Sequence, residues 1–168
     1  MNKPPYESFP VLSGEKIMLR QIDPAEIIEI VDISFYNAKK ASTESEALQM
    51  LAKINQDYLT GESIHWGIAV KSTNKIMGTC GFYRGFDNAY GELGCVLLPA
   101  YQGNGFMTNA LQLSIRFGIQ NIGLKKIIAI TSRDNIKAQH LFERLGFIKN
   151  DGAAEEITYE FKNETFFY

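Results

Sequence analysis

The sequence contains few of the residues that build metal sites and disulfide frameworks. Its 168 residues include two cysteines, Cys80 and Cys95, and two histidines, His65 and His140. A structural zinc site needs about four clustered ligands, whereas these residues are dispersed along the chain and form no Cys-x-x-Cys pair. We therefore predict that the protein holds no metal and that both thiols are free, as is typical of a reducing, cytoplasmic environment.

An excess of positive charge is also missing. The chain has 17 Lys and Arg against 19 Asp and Glu, which gives a net charge of −2. A protein that binds the phosphates of nucleic acid usually carries a basic surface, so we predict no nucleic-acid partner. No run of about 18 apolar residues occurs, and the first residues lack an apolar signal core, so we also predict no membrane association.

Repeats and stretches rich in proline, glycine or serine are absent as well. A chain of this length is typical of one domain, so we predict a single domain over residues 1–168 with a core at about 12–161. Alternating or continuous apolar patterns predict strands at residues 16–20, 66–70, 75–83, 90–98, 126–131, 147–148 and 157–161. The predicted fold class is therefore α/β or α+β with a mixed sheet.

Four helices are predicted between these strands. Two follow capping signals, Asp23-Pro24-x-Glu26 and Thr43-x-x-Glu46, and the second precedes an apolar-periodic stretch with Leu48, Leu51 and Leu59. The other two helices begin at residues 105 and 135 and end at glycines. The helix from residue 105 joins the strands at 90–98 and 126–131, which predicts a right-handed βαβ crossover.

The most informative segment joins the strand at 90–98 to the helix that follows. It reads Gln102-Gly103-Asn104-Gly105-Phe106-Met107. Glycines let a ligand approach the backbone, and a helix N-terminus adds partial positive charge, so the segment predicts an anion site that suits phosphate. A Walker loop would have a lysine after the glycines, and a Rossmann fingerprint would have a third glycine where Thr108 stands. A glycine-rich turn that binds nothing remains the alternative.

Two polar residues flank this segment in the sequence. Glu92 lies in the preceding strand, on the same face as Gly94 and Val96 by strand alternation. Desolvation on that face would raise the pKa of a carboxyl group and suit it to act as a general base, and a solvated glutamate is the alternative. Asn135 opens the last helix, where it either caps the helix or hydrogen-bonds a bound amide.

Taken together, these motifs resemble the GNAT superfamily of acyl-CoA-dependent N-acetyltransferases over about residues 16–161. The family loop Gln/Arg-x-x-Gly-x-Gly/Ala corresponds to residues 102–107, with Met107 in place of the small residue. The block Asn-x-x-Ser/Ala-x-x-Leu-Tyr-x-x-x-Gly-Phe corresponds to residues 135–147, with Phe142 in place of the tyrosine. The runs at 17–23 and 92–103 are most similar to the RimJ/RimL branch, whose known members acetylate the N-termini of ribosomal proteins.

The resemblance implies a fold and a set of site residues. The implied fold has a mixed, mostly antiparallel sheet of six to seven strands, helices on both faces and one βαβ crossover. Acetyl-CoA is the implied co-substrate, with no metal, and Glu92 is the implied general base. The residues implied to bind acetyl-CoA are those that hold its pyrophosphate (Gln102, Gly103, Asn104, Gly105, Phe106 and Met107), those that pair with its pantetheine arm (Val96, Leu97, Leu98 and Asn135) and Phe142 beside the thioester.

The expected activity is transfer of an acetyl group from acetyl-CoA to a primary amine by direct attack, with a protein or peptide N-terminus as the first candidate acceptor. A backbone amide near Leu97 or Leu98 is expected to hold the developing oxyanion. No obligatory general acid is expected, because Phe142 has no proton to donate and a thiol of pKa about 8.5 is already a tolerable leaving group.

Three questions stay open at this stage. The acceptor could instead be a small amine such as a polyamine, an amino acid or an aminoglycoside, and the chain could be an acyl-CoA-binding regulatory module without turnover. The expected oligomeric state is a monomer or a homodimer. Candidate wall residues for the acceptor, each of which could equally serve only in packing, are Phe35, Tyr36, Trp66, Tyr83, Arg84 and Phe86.

Overall fold

The computed structural model describes residues 1–150 and 155–162. Its main sheet has the strand order β1-β2-β5-β6-β7-β8-β10-β9, and every neighbouring pair is antiparallel except β7–β8. The strands are β1 (Leu12–Ser13), β2 (Ile17–Arg20), β3 (Phe35–Tyr36), β4 (Lys39–Lys40), β5 (Ile64–Val70), β6 (Ile76–Tyr83), β7 (Tyr90–Leu97), β8 (Lys126–Ser132), β9 (Ile148–Asn150) and β10 (Glu156–Lys162). Strands β3 and β4 form a separate two-stranded ribbon.

The predicted class and the mostly antiparallel sheet are confirmed, but the strand count is wrong. The main sheet has eight strands over the described ranges, where six to seven were expected. The additional strand is β1, which pairs with β2 through only two residues. A segment that short shows no alternation of apolar and polar residues, so the sequence pattern does not reveal it.

Helices cover both faces of the sheet, as expected. Helices α2 (Phe106–Phe117) and α3 (Ile136–Arg144) share one apolar cluster with the inward side chains of β5, β6 and β8. Helix α1 (Glu44–Leu59) and the 3₁₀ turn Pro24–Glu29 form a second cluster on the opposite face. The main sheet therefore lies between two packed layers, which fix its strands in place.

Local capping signals begin the 3₁₀ segment Pro24–Glu29 and helix α1. The Asp23 carboxylate accepts from the Ala25 amide at 2.9 Å, and Glu26 accepts from the Asp23 amide at 3.0 Å, which completes the predicted capping box. The segment is nevertheless a six-residue 3₁₀ helix. At α1 the Thr43 hydroxyl accepts from the Glu46 amide at 3.2 Å, so this predicted start is also confirmed.

The buried face of α1 includes one of the three leucines in its apolar-periodic stretch. Leu51 is buried, but Leu48 and Leu59 are exposed. The residues that α1 buries are Ala47, Met50, Leu51 and Ile54, which follow the three-and-four spacing of one helix face. The leucines alone do not mark this face, because it is shared by Ala47, Met50 and Ile54.

The predicted crossover runs through β7, α2 and β8. Strands β7 and β8 are parallel, and a π-helical turn at Gly118–Ile122 extends α2 to Gly123, which has a φ of +86°. A positive φ is the left-handed conformation that glycine adopts without steric cost. The turn predicted at residues 150–152 lies mostly outside the described residues.

Candidate active site

Strands β7 and β8 separate after a short contact. Their pairing comprises only Tyr90–Lys126, Gly91–Ile127 and Glu92–Ile128, although β7 continues to Leu97 and β8 to Ser132. Beyond Glu92 the edge of β7 that faces β8 therefore lacks a partner strand within the described part of the chain. We call this wedge-shaped opening the seam.

The backbone groups of β7 at the seam can be assigned by alternation. The Leu98 amide donates to the Met77 carbonyl at 2.9 Å, so it points toward β6 and away from the seam. Successive residues in a strand point their amides to opposite sides, so the amides of Leu97 and Cys95 face the seam. The Leu97 carbonyl on that side accepts from the Gln102 side chain at 3.3 Å.

The glycine loop stands at the end of this open edge. Gly103 and Gly105 have φ values of +81° and +77°, and a Cβ atom on either would meet no protein atom within 4 Å. No hydrogen bond from the backbone amides of residues 103–108 is found among the described residues. Six consecutive amides at the start of a twelve-residue helix are thus available to an anion in open space.

Glu92 lies where β7 and β8 part, on the same face as Gly94 and Val96, as alternation predicted. Its side chain is 20% exposed and forms an ion pair with the Arg84 guanidinium. Glu92 is thus neither fully solvated nor surrounded only by apolar groups. Arg84 has a φ of +60°, an uncommon left-handed conformation for an arginine.

A cavity of about 660 Å³ opens on this face of the sheet. It is bounded by the ribbon β3–β4, the end of α1, and strands β5 to β8. The residues that line it are Ile33, Phe35, Tyr36, Asn37, Ala38, Ile54, Asp57, Glu62, Ser63, His65, Thr79, Tyr83, Arg84, Glu92, Gly94, Cys95, Val96 and Ile130. The cavity has the size of a small-molecule site and reaches the seam through Glu92 and Val96.

Comparison with known proteins decides the family. The chain matches the acetyltransferase (GNAT) domain over residues 16–148. The chain belongs to the GNAT acetyltransferases. It is 25% identical over 160 residues to the uncharacterized N-acetyltransferase YoaA of Bacillus subtilis (strain 168), covering 90% of each chain. As a GNAT protein it is an N-acetyltransferase, which favours the enzyme over the regulatory module.

Solved structures share the GNAT fold. The ribosomal-protein-S5-alanine acetyltransferase of Vibrio fischeri superposes with a TM-score of 0.76 at 21% identity, over 93% of this chain and 98% of that one. The dodecameric spermidine N-acetyltransferase of Vibrio cholerae superposes with a TM-score of 0.74 at 15% identity, over 90% and 96%. At such identities the likeness shows the fold alone, and the RimJ/RimL branch stays a prediction.

The GNAT cavity contains a tyrosine–histidine pair. The Tyr83 hydroxyl and the His65 Nδ1 lie 2.7 Å apart. Burial lowers the pKa of His65 to about 4 and raises the pKa of Tyr83 well above its usual value of 10. Both groups are therefore neutral at pH 7. A Cβ at Gly94 would lie 2.6 Å from the Tyr83 ring, so a residue without a side chain is required beneath it.

Three aromatic residues that sequence reasoning associated with the site lie in the core. Trp66 and Phe86 are fully buried and do not line the cavity, so for these two candidates the packing alternative is confirmed. Phe142 is 4% exposed, with its ring centroid 5.5 Å from those of Phe147 and Tyr159. Its proposed packing beside the thioester stays a prediction.

Asn135 begins helix α3. Its side-chain oxygen accepts from the Ala138 amide at 3.2 Å, which is the helix-cap alternative left open by the sequence. The side-chain oxygen is thus engaged in the cap, and contact between Asn135 and the pantetheine arm stays a prediction. The two free cysteines lie opposite one another on β6 and β7, and burial raises the pKa of each thiol to about 12.

Sequence reasoning missed six polar residues that the fold brings to the cavity, of which Asn37 and Thr79 come from elsewhere in the chain and the other four from one region. Asp57, Glu62, Ser63 and His65 come from the end of α1 and the start of β5. Their only signal in the sequence is a cluster of polar residues between a helix and a strand, which loops commonly show.

Residues 1–150 and 155–162 contain neither a candidate metal site nor a candidate membrane-spanning helix. No group of three or more His, Cys, Asp and Glu side chains in these ranges could hold a metal ion. No helix there is long and apolar enough to cross a membrane.

Proposed function

We propose that this GNAT enzyme transfers an acetyl group from acetyl-CoA to a primary amine bound in the 660 Å³ cavity, with Glu92 as the general base. The observation that carries the proposal is the position of Glu92. It lies at the point where the seam, which suits the thioester arm, meets the cavity, which suits the amine. An acetyl donor and an amine acceptor can therefore meet beside one carboxylate.

The residues present fit acetyl-CoA. The unpartnered amides of residues 103–108 suit its pyrophosphate, and the positive φ of Gly103 and Gly105 keeps side chains away from that space. The open edge of β7 suits the amides of the pantetheine arm, which would pair with it as an added strand does. Of the two amides considered for the oxyanion, that of Leu97 faces the seam, whereas that of Leu98 is bonded to Met77.

In the proposed reaction the neutral amine attacks the thioester carbonyl carbon. The nitrogen–carbon bond forms, the carbon–sulfur bond breaks, and the CoA thiolate leaves. Glu92, directly or through a water molecule, takes the proton from the nitrogen, while the Leu97 amide stabilises negative charge on the carbonyl oxygen. The thiolate then takes a proton from water, so no side chain need act as an obligatory acid.

Two acceptor classes have support. A protein or peptide N-terminus is favoured by the RimJ/RimL-like motifs and by the fold shared with an enzyme that acts on a ribosomal protein. A small amine is favoured by the cavity, whose lining has three carboxylates and one arginine. The oligomeric state stays a prediction of monomer or homodimer, and one structural relative is a dodecamer.

Release of CoA thiol with a panel of amines tests the proposal. We expect Glu92→Gln to lower kcat/KM by about 10²–10⁴-fold at pH 7, because the base is lost, while acetyl-CoA binding is retained. Glu29→Gln, at an exposed position outside the cavity, serves as the control and should keep full activity. Full kcat/KM in Glu92→Gln would remove Glu92 from the mechanism.

A further inference from the structure

The acceptor cavity has an uneven distribution of charge. Its charged lining residues are Asp57, Glu62, Arg84 and Glu92, and His65 is neutral because burial lowers its pKa to about 4. Arg84 is paired with Glu92. Neither Asp57 nor Glu62 forms a salt bridge with any residue in the described part of the chain. Two carboxylates therefore face the cavity without a compensating cation.

These two carboxylates come from one short segment. The Glu62 amide donates to the Asp57 carbonyl at 2.8 Å, which closes the turn between α1 and β5. The Tyr36 hydroxyl donates to Asp57 Oδ2 at 3.0 Å and so leaves Oδ1 available. Lys53 of the same helix has its Nζ 5.5 Å from the centroid of the Tyr36 ring and does not line the cavity.

An unpartnered hydroxyl lies beside them. Ser63 is 4% exposed, lines the cavity, and has no hydrogen-bond partner for its Oγ among the described residues. A buried polar atom without a partner is uncommon in folded proteins, and an absent ligand is one explanation of it. Ser63 lies two residues before His65, and residues two apart in an extended strand point to the same face. Its side chain is therefore on the cavity face of the sheet.

Sheet register sets the distance from this end of the cavity to the base. Ser63, Tyr83 and Glu92 fall in one row across β5, β6 and β7, because Ile64 pairs with Phe82 and Tyr83 pairs with Glu92. Neighbouring strands are about 4.8 Å apart, so the backbones of Ser63 and Glu92 are separated by about 10 Å. Side chains that reach inward from both ends shorten the span available to an acceptor.

We propose that Asp57, Glu62 and Ser63 form a subsite for a second cationic group of the acceptor, so that the preferred substrate is a small diamine or polyamine. The inference rests on the proposed function and narrows its substrate class. One nitrogen, uncharged at the moment of attack, lies by Glu92. The other, as an ammonium, donates hydrogen bonds to the two carboxylates and to the Ser63 hydroxyl.

The test compares amines that differ only in the second charge. CoA thiol release is measured with n-butylamine, 1,4-diaminobutane, spermidine and a neutral tripeptide with a free N-terminus. A charge-assisted hydrogen bond contributes about 1.5–3 kcal/mol, so we expect kcat/KM for 1,4-diaminobutane to exceed that for n-butylamine by about 10- to 150-fold. The difference should lie mainly in KM, because the subsite binds the ground state and the transition state alike.

Isosteric variants assign the preference to these residues. Asp57→Asn and Glu62→Gln should each reduce the ratio of kcat/KM between diamine and monoamine, and the double variant should bring it near one. Glu29→Gln should preserve the ratio. A second readout needs no turnover, since 1,4-diaminobutane should raise the melting temperature of the wild type more than n-butylamine does, and less so in the double variant.

The outcomes separate this inference from the proposed function. Equal kcat/KM for the monoamine and the diamine, or a tripeptide that exceeds both, would overturn the cation subsite and leave the acetyltransferase reaction intact. A diamine preference that survives in the double variant would also overturn it. Absence of thiol release with every amine, in a protein that binds acetyl-CoA, would overturn the proposed function together with this inference.

Discussion

Replacement of Gly105 by asparagine separates the stability of the fold from the binding of acetyl-CoA. Gly105 has a φ of +77°, and no protein atom lies within 4 Å of the position that its Cβ would occupy. Asparagine tolerates the left-handed conformation better than most residues, so we expect Gly105→Asn to lower the free energy of unfolding by about 1 kcal/mol or less. For a domain of this size that corresponds to a fall in Tm of about 2–4 °C.

The effect on the co-substrate is expected to be much larger. The asparagine side chain would occupy the space in front of the loop amides, and loss of one charge-assisted hydrogen bond costs about 1.5–3 kcal/mol. The Kd for acetyl-CoA should therefore rise by about 10- to 150-fold. At a concentration of 100 times the wild-type Kd, acetyl-CoA should stabilise the wild type by about 2.7 kcal/mol, but a variant weakened 100-fold by only about 0.4 kcal/mol.

The matched control is Gly123→Asn. Gly123 has a similar φ of +86° and lies at the far end of the same helical segment, where the nearest atom to an added Cβ is 3.8 Å away. Both variants should therefore lose similar stability, while Gly123→Asn keeps its affinity for acetyl-CoA. Titration calorimetry and thermal melts measure the two quantities separately. Unchanged affinity in Gly105→Asn, or an equal loss in both variants, would refute the assignment of the loop.

Two other positions give further predictions. Phe142→Tyr should change the acetylation rate by less than tenfold, and a larger gain would mean that an acid was missing. Phe142→Ala should lower the free energy of unfolding, measured by urea titration, by about 3–5 kcal/mol, because the ring is 4% exposed in the core. The pKa of His65 is about 4 in the folded protein against 6.5 for the ordinary group, so the unfolded chain binds the proton first as the pH falls. The free energy of unfolding should thus decrease from pH 6.5 to pH 4, by at most about 3 kcal/mol. Urea titrations of His65→Gln should lack this component, and identical pH profiles for the two proteins would contradict the assignment.

The sequence correctly predicts those features of the fold that depend on residues close together in the chain. The capping box at Asp23 and Glu26 and the end of α2 at Gly123 depend on residues within a few positions of one another. The glycine loop was recognisable for the same reason, because its backbone conformation requires particular residues at particular places.

Features that depend on distant contacts could not be predicted in this way. The Arg84–Glu92 ion pair joins residues eight positions apart across the turn between β6 and β7, and this pairing needs the register of the two strands. Trp66 carries a polar NH and was an acceptable candidate for a wall, but this NH donates to the Pro10 carbonyl at 2.9 Å in the core. Nothing near Trp66 in the sequence reveals a partner that is 56 residues away.

The seam divides the main sheet into a group of N-terminal strands and a group of C-terminal strands. Strands β1, β2, β5, β6 and β7 lie on one side and β8, β9 and β10 on the other, and three residue pairs join the two groups within the sheet. In the proposed binding mode the pantetheine arm pairs with β7 beyond Glu92, where β8 does not. Bound acetyl-CoA therefore takes the place of an additional strand, and this strand leaves when CoA dissociates. Each catalytic cycle would then complete the sheet when the co-substrate enters and shorten it when CoA leaves. The rate of amide hydrogen exchange along β7 would report the fraction of the enzyme that has acetyl-CoA bound, as well as the stability of the fold.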